Sequence, residues 1–258
     1  MRAIALDYCR RTLVERDISE PQIAREDDVL FRVHEVGVCG TDRELALFRF
    51  GYPPLEEAHL VLGHEALGRV VRTGPAVAGL KPGDWVVPLV RRPCSPPCTS
   101  CRRGRNDLCI SGGYTERGIM GAHGYFTELA ADPEQYLLRI PDACAAYGVL
   151  LEPLSVVEKA VQTAFRMHEP GPERALVIGA GTVGILAALV LQLRGLHVTV
   201  LSLEDPGSAR ARLLINAGLD YINDFQEKAD IVIEAAGSPA AAMAGVTGLA
   251  PLGVMVVL

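Results

Sequence analysis

The sequence is poor in aromatic residues, in excess positive charge and in long apolar runs. Phe, Trp and Tyr make up 5% of its 258 residues, and the formal net charge is −6. A nucleic-acid surface needs clustered Lys and Arg and is helped by aromatic platforms for the bases, so we expect no nucleic-acid partner. No stretch reaches the ~18 uninterrupted apolar residues of a membrane span, so we expect no membrane partner either.

We also expect no secretory leader. The N-terminal segment reaches the acidic residue Asp7 too early to supply the apolar region of a signal peptide. We therefore expect a cytoplasmic protein. In that reducing compartment, seven cysteines indicate thiolates used for metal binding or chemistry rather than a disulfide framework.

What is present divides into two parts of different character. The first part predicts short strands between Gly and Pro turns, for example at residues 29–36 and 85–87, which are rich in β-branched side chains. Residues 91–113 hold prolines, arginines and four cysteines, with too little apolar content for a core element. Such a segment needs an external stabiliser to hold its shape.

The second part begins after about Pro141. Residues 150–165 have apolar positions at helical spacing, and a turn is expected at 169–172. Short apolar strands then alternate with helical stretches. The strands are predicted at 175–179, 197–202, 221–222, 231–235 and 254–258, and the helices at 183–194 and 209–217. Such alternation is typical of parallel βαβ units, so the sequence predicts an α/β fold.

Four cysteines in one short segment are the strongest chemical signal. Their spacing is Cys94-x3-Cys98-x2-Cys101-x7-Cys109. Four thiolates can close a tetrahedron around zinc and leave no open position, so such a site would stabilise the fold of its segment. The alternative is four reduced cysteines without a metal, which is uncommon for so dense a cluster.

A second candidate metal site combines Cys39 with His64 and Glu65, in segments predicted to be loops after strands. A thiolate, an imidazole and a carboxylate, with a fourth position left for water or substrate, have the layout of a catalytic zinc site. Spacing alone leaves an alternative open, namely a core cysteine and two satisfied polar side chains.

A glycine-rich motif, Gly-Ala-Gly-Thr-Val-Gly, lies between a predicted strand and a predicted helix. In that context glycines permit the tight turn and the close approach of a pyrophosphate to the helix N-terminus. The alternative is a role in the turn and its packing only. The candidate cofactor-binding residues here are Gly179, Gly181, Thr182, Val183 and Gly184.

Six motifs occur in a specific order along nearly the whole chain. They lie at residues 39–44, 61–66, 90–94, 104–109, 118–125 and 151–159. In these the chain resembles the zinc-dependent medium-chain alcohol and polyol dehydrogenases, most closely their glucose 1-dehydrogenase branch. The resemblance implies a GroES-like, β-rich, zinc-binding catalytic domain over residues 1–150. It implies a Rossmann NAD(P)-binding domain with a doubly wound parallel sheet over residues 151–258.

The same resemblance implies roles for individual residues. Cys39, His64 and Glu65 would bind the catalytic zinc, with Glu152 as an additional ligand or water partner. The four clustered cysteines would bind a structural zinc.

The resemblance also implies a reaction, namely the oxidation of a sugar or polyol hydroxyl. The expected substrate is an aldose such as glucose. Thr41 would hydrogen-bond the reacting hydroxyl and pass its proton outward, and Glu116 would face sugar hydroxyls. Zinc would act as a Lewis acid, the nicotinamide would accept the hydride, and the product would be a lactone. The alternative for Glu116 is a solvated loop carboxylate.

Three positions depart from the family pattern. An extra residue separates Cys94 from Cys98, which makes Cys94 the weakest ligand assignment. Val90 stands where glucose-binding relatives carry an asparagine, and valine cannot hydrogen-bond a sugar. Ser202 replaces the aspartate that contacts the ribose in NAD-specific relatives, but Glu204 would repel a 2′-phosphate. Ser202 and Glu204 are both candidate cofactor contacts. Together they favour NAD, and NADP is the second candidate.

The family's chains continue beyond a fifth Rossmann strand, whereas this sequence stops at Leu258. We therefore expect a truncated domain with an exposed edge strand, and a homo-oligomer, dimer or tetramer, for a complete chain. Two alternatives stay open: a sorbitol- or threonine-dehydrogenase-like enzyme, and an inactive zinc-binding scaffold.

Overall fold

The computed structural model describes residues 1–169 and 171–258, so that part of the predicted turn at 169–172 lies outside the described residues. The chain divides into two compact units, Met1–Glu152 and Pro153–Leu258. The sequence predicts this boundary after residue 150. None of the described helices has both the length and the apolar character that a membrane span requires.

The first unit is built mainly of antiparallel strands, with two short helices. Its elements are β1 (Arg2–Asp7), β2 (Thr12–Asp17), β3 (Asp28–Gly37), α1 (Gly40–Ala46), β4 (His59–Val61), β5 (Glu65–Thr73), β6 (Trp85–Pro88), β7 (Arg91–Arg92), α2 (Thr99–Arg102), β8 (Thr115–Arg117), β9 (Gly121–Ala122), β10 (Leu129–Pro133) and β11 (Leu137–Ile140). The described strands form sheets in the orders β2-β1-β4, β10-β3-β5-β6-β11 and β7-β8-β9. Short 3-10 helices occupy Asn106–Leu108, Glu134–Tyr136 and Asp142–Leu150.

The main core of this unit forms under the central sheet. Alternate side chains of β3, Val29 and Phe31, are fully buried against Tyr125 and Leu137. Leu30 between them is buried as well, so both faces of this end of β3 are covered. The predicted strands at 29–36 and 85–87 are confirmed as β3 and β6.

A charged network is buried beside this core. The Tyr125 hydroxyl donates to Asp132 Oδ2 at 2.6 Å, and Arg92 Nη2 donates to Asp132 Oδ1 at 2.8 Å. Arg117 Nε donates to the Tyr125 hydroxyl at 3.2 Å. Burial raises the pKa of Tyr125, which keeps its hydroxyl a proton donor to the carboxylate. Because the charges are paired and hydrogen-bonded, they are tolerated in the interior and hold β7 and β8 against β10.

The second unit is a parallel α/β sheet. Its elements are α3 (Leu151–Met167), β12 (Arg174–Ile178), α4 (Thr182–Leu193), β13 (His197–Leu201), α5 (Ala209–Asn216), β14 (Asp220–Ile222), β15 (Ala229–Glu234), α6 (Pro239–Gly248) and β16 (Leu249–Val257). The strand order is β14-β13-β12-β15-β16, with every pair parallel. At one edge of the described sheet, β16 pairs with β15, as the sequence predicts.

The central strand shows why the sequence alternates apolar runs with helices. Ala175 and Val177 of β12 belong to one buried cluster, whereas Leu176 and Ile178 belong to another. A strand covered by helices on both faces is apolar at successive positions, and this confirms the predicted doubly wound α/β fold. The predicted helices at 150–165, 183–194 and 209–217 are confirmed as α3, α4 and α5.

Candidate metal and dinucleotide sites

Cys39 lies at the beginning of a helix and not in a free loop. It is the N-cap residue of α1, where its Sγ accepts a hydrogen bond from the Thr41 backbone N–H at 3.3 Å. The Cys39 N–H donates in return to Asp42 Oδ2 at 2.9 Å. This reciprocal capping places the sulfur at the N-terminal end of the helix, where the hydrogen bond from Thr41 lowers the pKa of the thiol but is outweighed by burial.

His64 and Glu65 are placed by the central sheet. His64 is 4% exposed in the turn between β4 and β5, and Glu65 is the first residue of β5. Glu65 pairs across the sheet with Gly37, the last residue of β3. A Cβ at position 37 would lie 2.1 Å from Glu65 Oε2, so only glycine leaves room for this carboxylate.

The ligating atoms of Cys39, His64 and Glu65 all lie within 4.8 Å of one another, and Cys39 Sγ is 3.1 Å from His64 Nε2. Burial raises the pKa of the Cys39 thiol to about 11 and also raises the pKa of Glu65. A cation favours the deprotonated form of both groups. One sulfur, one nitrogen and one oxygen ligand around a common centre fit zinc with an open position.

Asp42 is a site residue to which the sequence reasoning assigned no role. It is 4% exposed, and its Oδ1 lies 3.5 Å from His64 Nδ1. Neither of these two atoms has a hydrogen-bond partner among the described residues. A carboxylate behind an imidazole favours the tautomer with its proton on Nδ1 and leaves Nε2 free to bind a metal. The local sequence carries no usual signal for this role, because cysteine is not among the common N-cap residues.

Glu152 lies near this trio but outside the set of mutually close ligand atoms. Burial is the main cause that raises the pKa of Glu152, and the carboxylates of Glu65 and Glu116 raise it further, whereas His64 lowers it. Of the two roles expected for Glu152, this position favours a partner of water or substrate over direct ligation.

Glu116 is not a solvated loop residue. It lies in β8, is 9% exposed and is bound by Arg91, whose Nε and Nη2 lie 2.8 and 2.7 Å from Glu116 Oε1. Val90, the neighbour of Arg91, packs against an apolar cluster that includes Leu45 and Ile119. Position 90 therefore contributes to packing in this chain.

The four clustered cysteines come together in the arrangement expected for a closed site. The Sγ atoms of Cys94, Cys98, Cys101 and Cys109 lie within 4.8 Å of one another. Cys94 takes part despite the extra residue before Cys98, whose backbone N–H donates to Cys94 Sγ at 3.1 Å. Hydrogen bonds from the N–H groups of Cys101 and Ile110 lower the pKa of Cys98 to about 5, so part of the ligand set is ready as thiolate.

The glycine motif forms the turn between β12 and α4. Gly179 has φ 110°, and a Cβ at Gly184 would lie 2.0 Å from the Gly179 carbonyl oxygen. Gly181 is the N-cap of α4, and an added Cβ there would meet open space. A helix N-terminus with this clearance suits a pyrophosphate.

A cavity of about 920 Å³ lies beside this turn within the second unit. Gly179, Gly181, Ser202 and Glu204 line it, whereas Thr182, Val183 and Gly184 do not. Its volume and its mixed apolar and polar lining are those of a cofactor site.

Arg210 is a second residue that the sequence reasoning missed. Its Nη1 lies 2.8 Å from Glu204 Oε1, and the Glu204 N–H donates to Ser202 Oγ at 3.3 Å. Arg210 lies six residues beyond Glu204 in the sequence, so no adjacent position indicates this pairing. The first turn of α5 brings Arg210 back to the end of β13.

Two family models match consecutive parts of the chain. The alcohol dehydrogenase GroES-like domain matches residues 25–142, and the glucose dehydrogenase C-terminus matches residues 145–258. A GroES-like unit followed by a parallel dinucleotide-binding sheet defines a medium-chain dehydrogenase.

Comparison with individual proteins shows to which family within this class the chain belongs. The chain is 41% identical to the glucose 1-dehydrogenase of Thermoproteus tenax over 254 residues, which cover 94% of this chain and 70% of the relative. It is 42% identical to that of Methanocella arvoryzae over 224 residues, covering 82% of this chain and 62% of the relative. The structure of Haloferax mediterranei glucose dehydrogenase in complex with NADP, Zn and gluconolactone superposes with a TM-score of 0.89 at 35% identity, covering all of this chain and 76% of that one. The chain belongs to the glucose 1-dehydrogenase family.

Proposed function

We propose that this chain carries the zinc site and the dinucleotide site of an NAD(P)-dependent dehydrogenase that oxidises a hydroxyl of a sugar or polyol. An aldose such as glucose, giving a lactone, is the leading substrate. The observation that carries the proposal is the convergence of Cys39, His64 and Glu65 on one point. The family membership supports it, and in the Haloferax structure the bound groups are NADP, Zn and gluconolactone.

Zinc held by these three side chains would supply a Lewis acid, and the dinucleotide would supply the hydride acceptor. The work of the chain is to position them. The capped start of α1 holds the Cys39 sulfur, and Asp42 orients the imidazole of His64. The pairing of Gly37 with Glu65 fixes the third ligand.

Acceptors for substrate hydroxyls and protons surround this point. We assign Glu116 to a sugar hydroxyl and Glu152 to the substrate or its water. Thr41, whose backbone N–H donates to Cys39 Sγ at 3.3 Å, would receive the proton of the reacting hydroxyl and pass it outward.

The charges favour a neutral substrate. Asp42, Glu65, Glu116 and Glu152 are acidic groups close enough to influence one another. The nearby cation Arg91 is already paired with Glu116. A phosphorylated sugar would bring additional negative charge into this cluster, which like-charge repulsion opposes.

For the dinucleotide we propose binding at the turn of residues 179–184, with Ser202 and Glu204 near the ribose. The carboxylate of Glu204 favours NAD, because it can accept from a ribose hydroxyl and repels a phosphate. Arg210 beside it is the residue through which NADP would be accommodated.

We assign the four clustered cysteines to a structural zinc that stabilises residues 91–113. This assignment requires reduced thiols, which favours the cytoplasm as the compartment. A homo-oligomer, dimer or tetramer, is a further proposal for the complete protein.

The test measures bound metal and oxidation of glucose, galactose, xylose and sorbitol with NAD+ and with NADP+. We expect about two zinc ions per chain and reduction of the dinucleotide by at least one sugar. Stronger turnover of sorbitol than of glucose would favour a polyol enzyme. Zinc in the cysteine cluster alone, with no affinity for either dinucleotide, would overturn the proposal in favour of a scaffold.

A further inference from the structure

Arg91 connects the cysteine segment to the candidate sugar-binding carboxylate. It lies in β7 directly opposite Glu116 of β8 in the antiparallel pairing. Both Nε and Nη2 contact the same oxygen, Glu116 Oε1, at 2.8 and 2.7 Å. No described residue donates a hydrogen bond to Oε2 of this carboxylate, so one oxygen is held and the other is left to accept.

The guanidinium is itself held by the segment that carries the cysteines. Its Nη1 donates to the backbone oxygen of Asp107 at 3.2 Å, and Asp107 precedes the candidate ligand Cys109 by two positions. The Arg91 guanidinium also lies 4.3 Å from the centroid of the Tyr114 ring. A planar group with three anchors has one orientation, which a flexible ammonium would not have.

Arg92, the next residue of β7, points to the opposite side of the strand from Arg91. Arg92 binds Asp132 and Tyr125 in the buried network, so its neighbour Arg91 faces Glu116 and the cysteine segment. The two arginines of β7 therefore have separate roles. Arg92 fixes β7 to the buried network, and Arg91 binds Glu116 on the other side of the strand.

We propose that Arg91 is a positioning residue for substrate binding, which holds Oε1 of Glu116 so that Oε2 faces a substrate hydroxyl. The inference rests on the proposed function, because it assigns Glu116 to the sugar. It also gives the cysteine segment a task beyond its own folding, since Asp107 of that segment and Tyr114, which follows it directly, fix the orientation of Arg91.

The test is a double-mutant cycle on the zinc-loaded chain with Arg91→Gln, Glu116→Gln and the double variant. We expect Arg91→Gln to raise the KM for the sugar by about tenfold, the scale of one charged hydrogen-bonded contact, while the KM for the dinucleotide stays unchanged. The same substitution should change the sugar KM little when Glu116 is already Gln. Arg91→Lys should restore only part of the effect, because lysine lacks the planar fork.

Arg102→Gln is the matched control. Arg102 lies in the same segment, and its guanidinium donates to the Pro97 carbonyl and the Thr99 hydroxyl there. Its substitution should leave the sugar KM unchanged, and zinc content and the melting temperature are measured for every variant.

Two results would overturn the inference alone. They are a sugar KM that Arg91→Gln leaves unchanged, and an equal effect of Arg91→Gln in the presence and absence of the Glu116 carboxylate. A zinc-loaded wild-type chain that neither oxidises nor binds any sugar would instead overturn the proposed function, and the role of Arg91 with it.

Discussion

Asp42 Oδ1 lies 3.5 Å from His64 Nδ1, and both side chains are only 4% exposed. The other oxygen of the same carboxylate accepts the N–H of Cys39. One buried acid thus touches two of the three candidate ligands. A conservative substitution of Asp42 therefore tests the geometry of the ligands without removing any of them.

Asp42→Asn should weaken zinc binding at the open site by about 10- to 100-fold and lower turnover in parallel, because an amide no longer favours the Nδ1–H tautomer of His64. Competition with a chelator measures the affinity. The control is Asp7→Asn, which alters a second Asp–His pair outside the metal site, buried Asp7 with half-buried His59. An unchanged zinc affinity in Asp42→Asn would contradict the role of Asp42.

Cys39→Ser should abolish turnover and remove about one zinc ion per chain while the fold is kept, because an open site loses one of its three ligands. Activity, metal content and circular dichroism check this result. Cys144→Ser replaces an exposed cysteine and should behave as the wild type. Full activity in Cys39→Ser would refute the catalytic assignment.

Cys101→Ser should act on folding instead. With one ligand of a closed site lost, we expect about one zinc ion less per chain and increased proteolysis of residues 91–113. Cys9→Ser, at another exposed cysteine, is the control. The structural assignment fails if zinc content and melting temperature both stay at their wild-type values.

Glu204→Gln should shift the preference towards NADP+. Removal of the carboxylate releases Arg210 for a 2′-phosphate, so we expect the ratio of kcat/KM for NADP+ to that for NAD+ to rise roughly tenfold. Glu158→Gln, which breaks another glutamate–arginine pair of the second unit, should leave the ratio unchanged. A constant ratio in Glu204→Gln would show that this carboxylate does not select the cofactor.

Zinc affinity at the open site should rise with pH. The pKa of Cys39 is raised to about 11 and that of Glu65 is raised as well, so both hold protons more firmly than usual. Zinc must displace these protons, and each proton released adds about tenfold in affinity per pH unit below the pKa of its group. Titrations between about pH 6 and 9 should show at least one such proton; a flat profile would contradict the burial of the thiol.

Much of the second unit follows from local sequence signals. Successive apolar residues in β12 and the 3.6-residue spacing of α3 are visible without any tertiary information. The helix α6 was missed, because Pro239–Gly248 is mostly Ala and Gly and has no polar face to mark a period. In the first unit, α1 was missed because its N-cap is a cysteine, which is not among the residues that usually signal a helix start.

The candidate sites divide in the same way. The cysteine cluster is close in sequence, so its spacing alone predicts it. Cys39 and His64 meet only through the pairing of β3 with β5, and spacing left their partnership open. The contacts of Asp42 with His64 and of Arg91 with Glu116 are products of tertiary folding, and no local pattern indicates them.

The pairing of Gly37 with Glu65 has a consequence for the order of assembly. The register of β3 and β5 by itself places the Glu65 carboxylate. The sheet therefore forms this part of the ion site before a metal binds. A slip by one position would turn Glu65 to the opposite face. Binding of the ion by a newly synthesised chain thus depends on the correct pairing of β3 with β5.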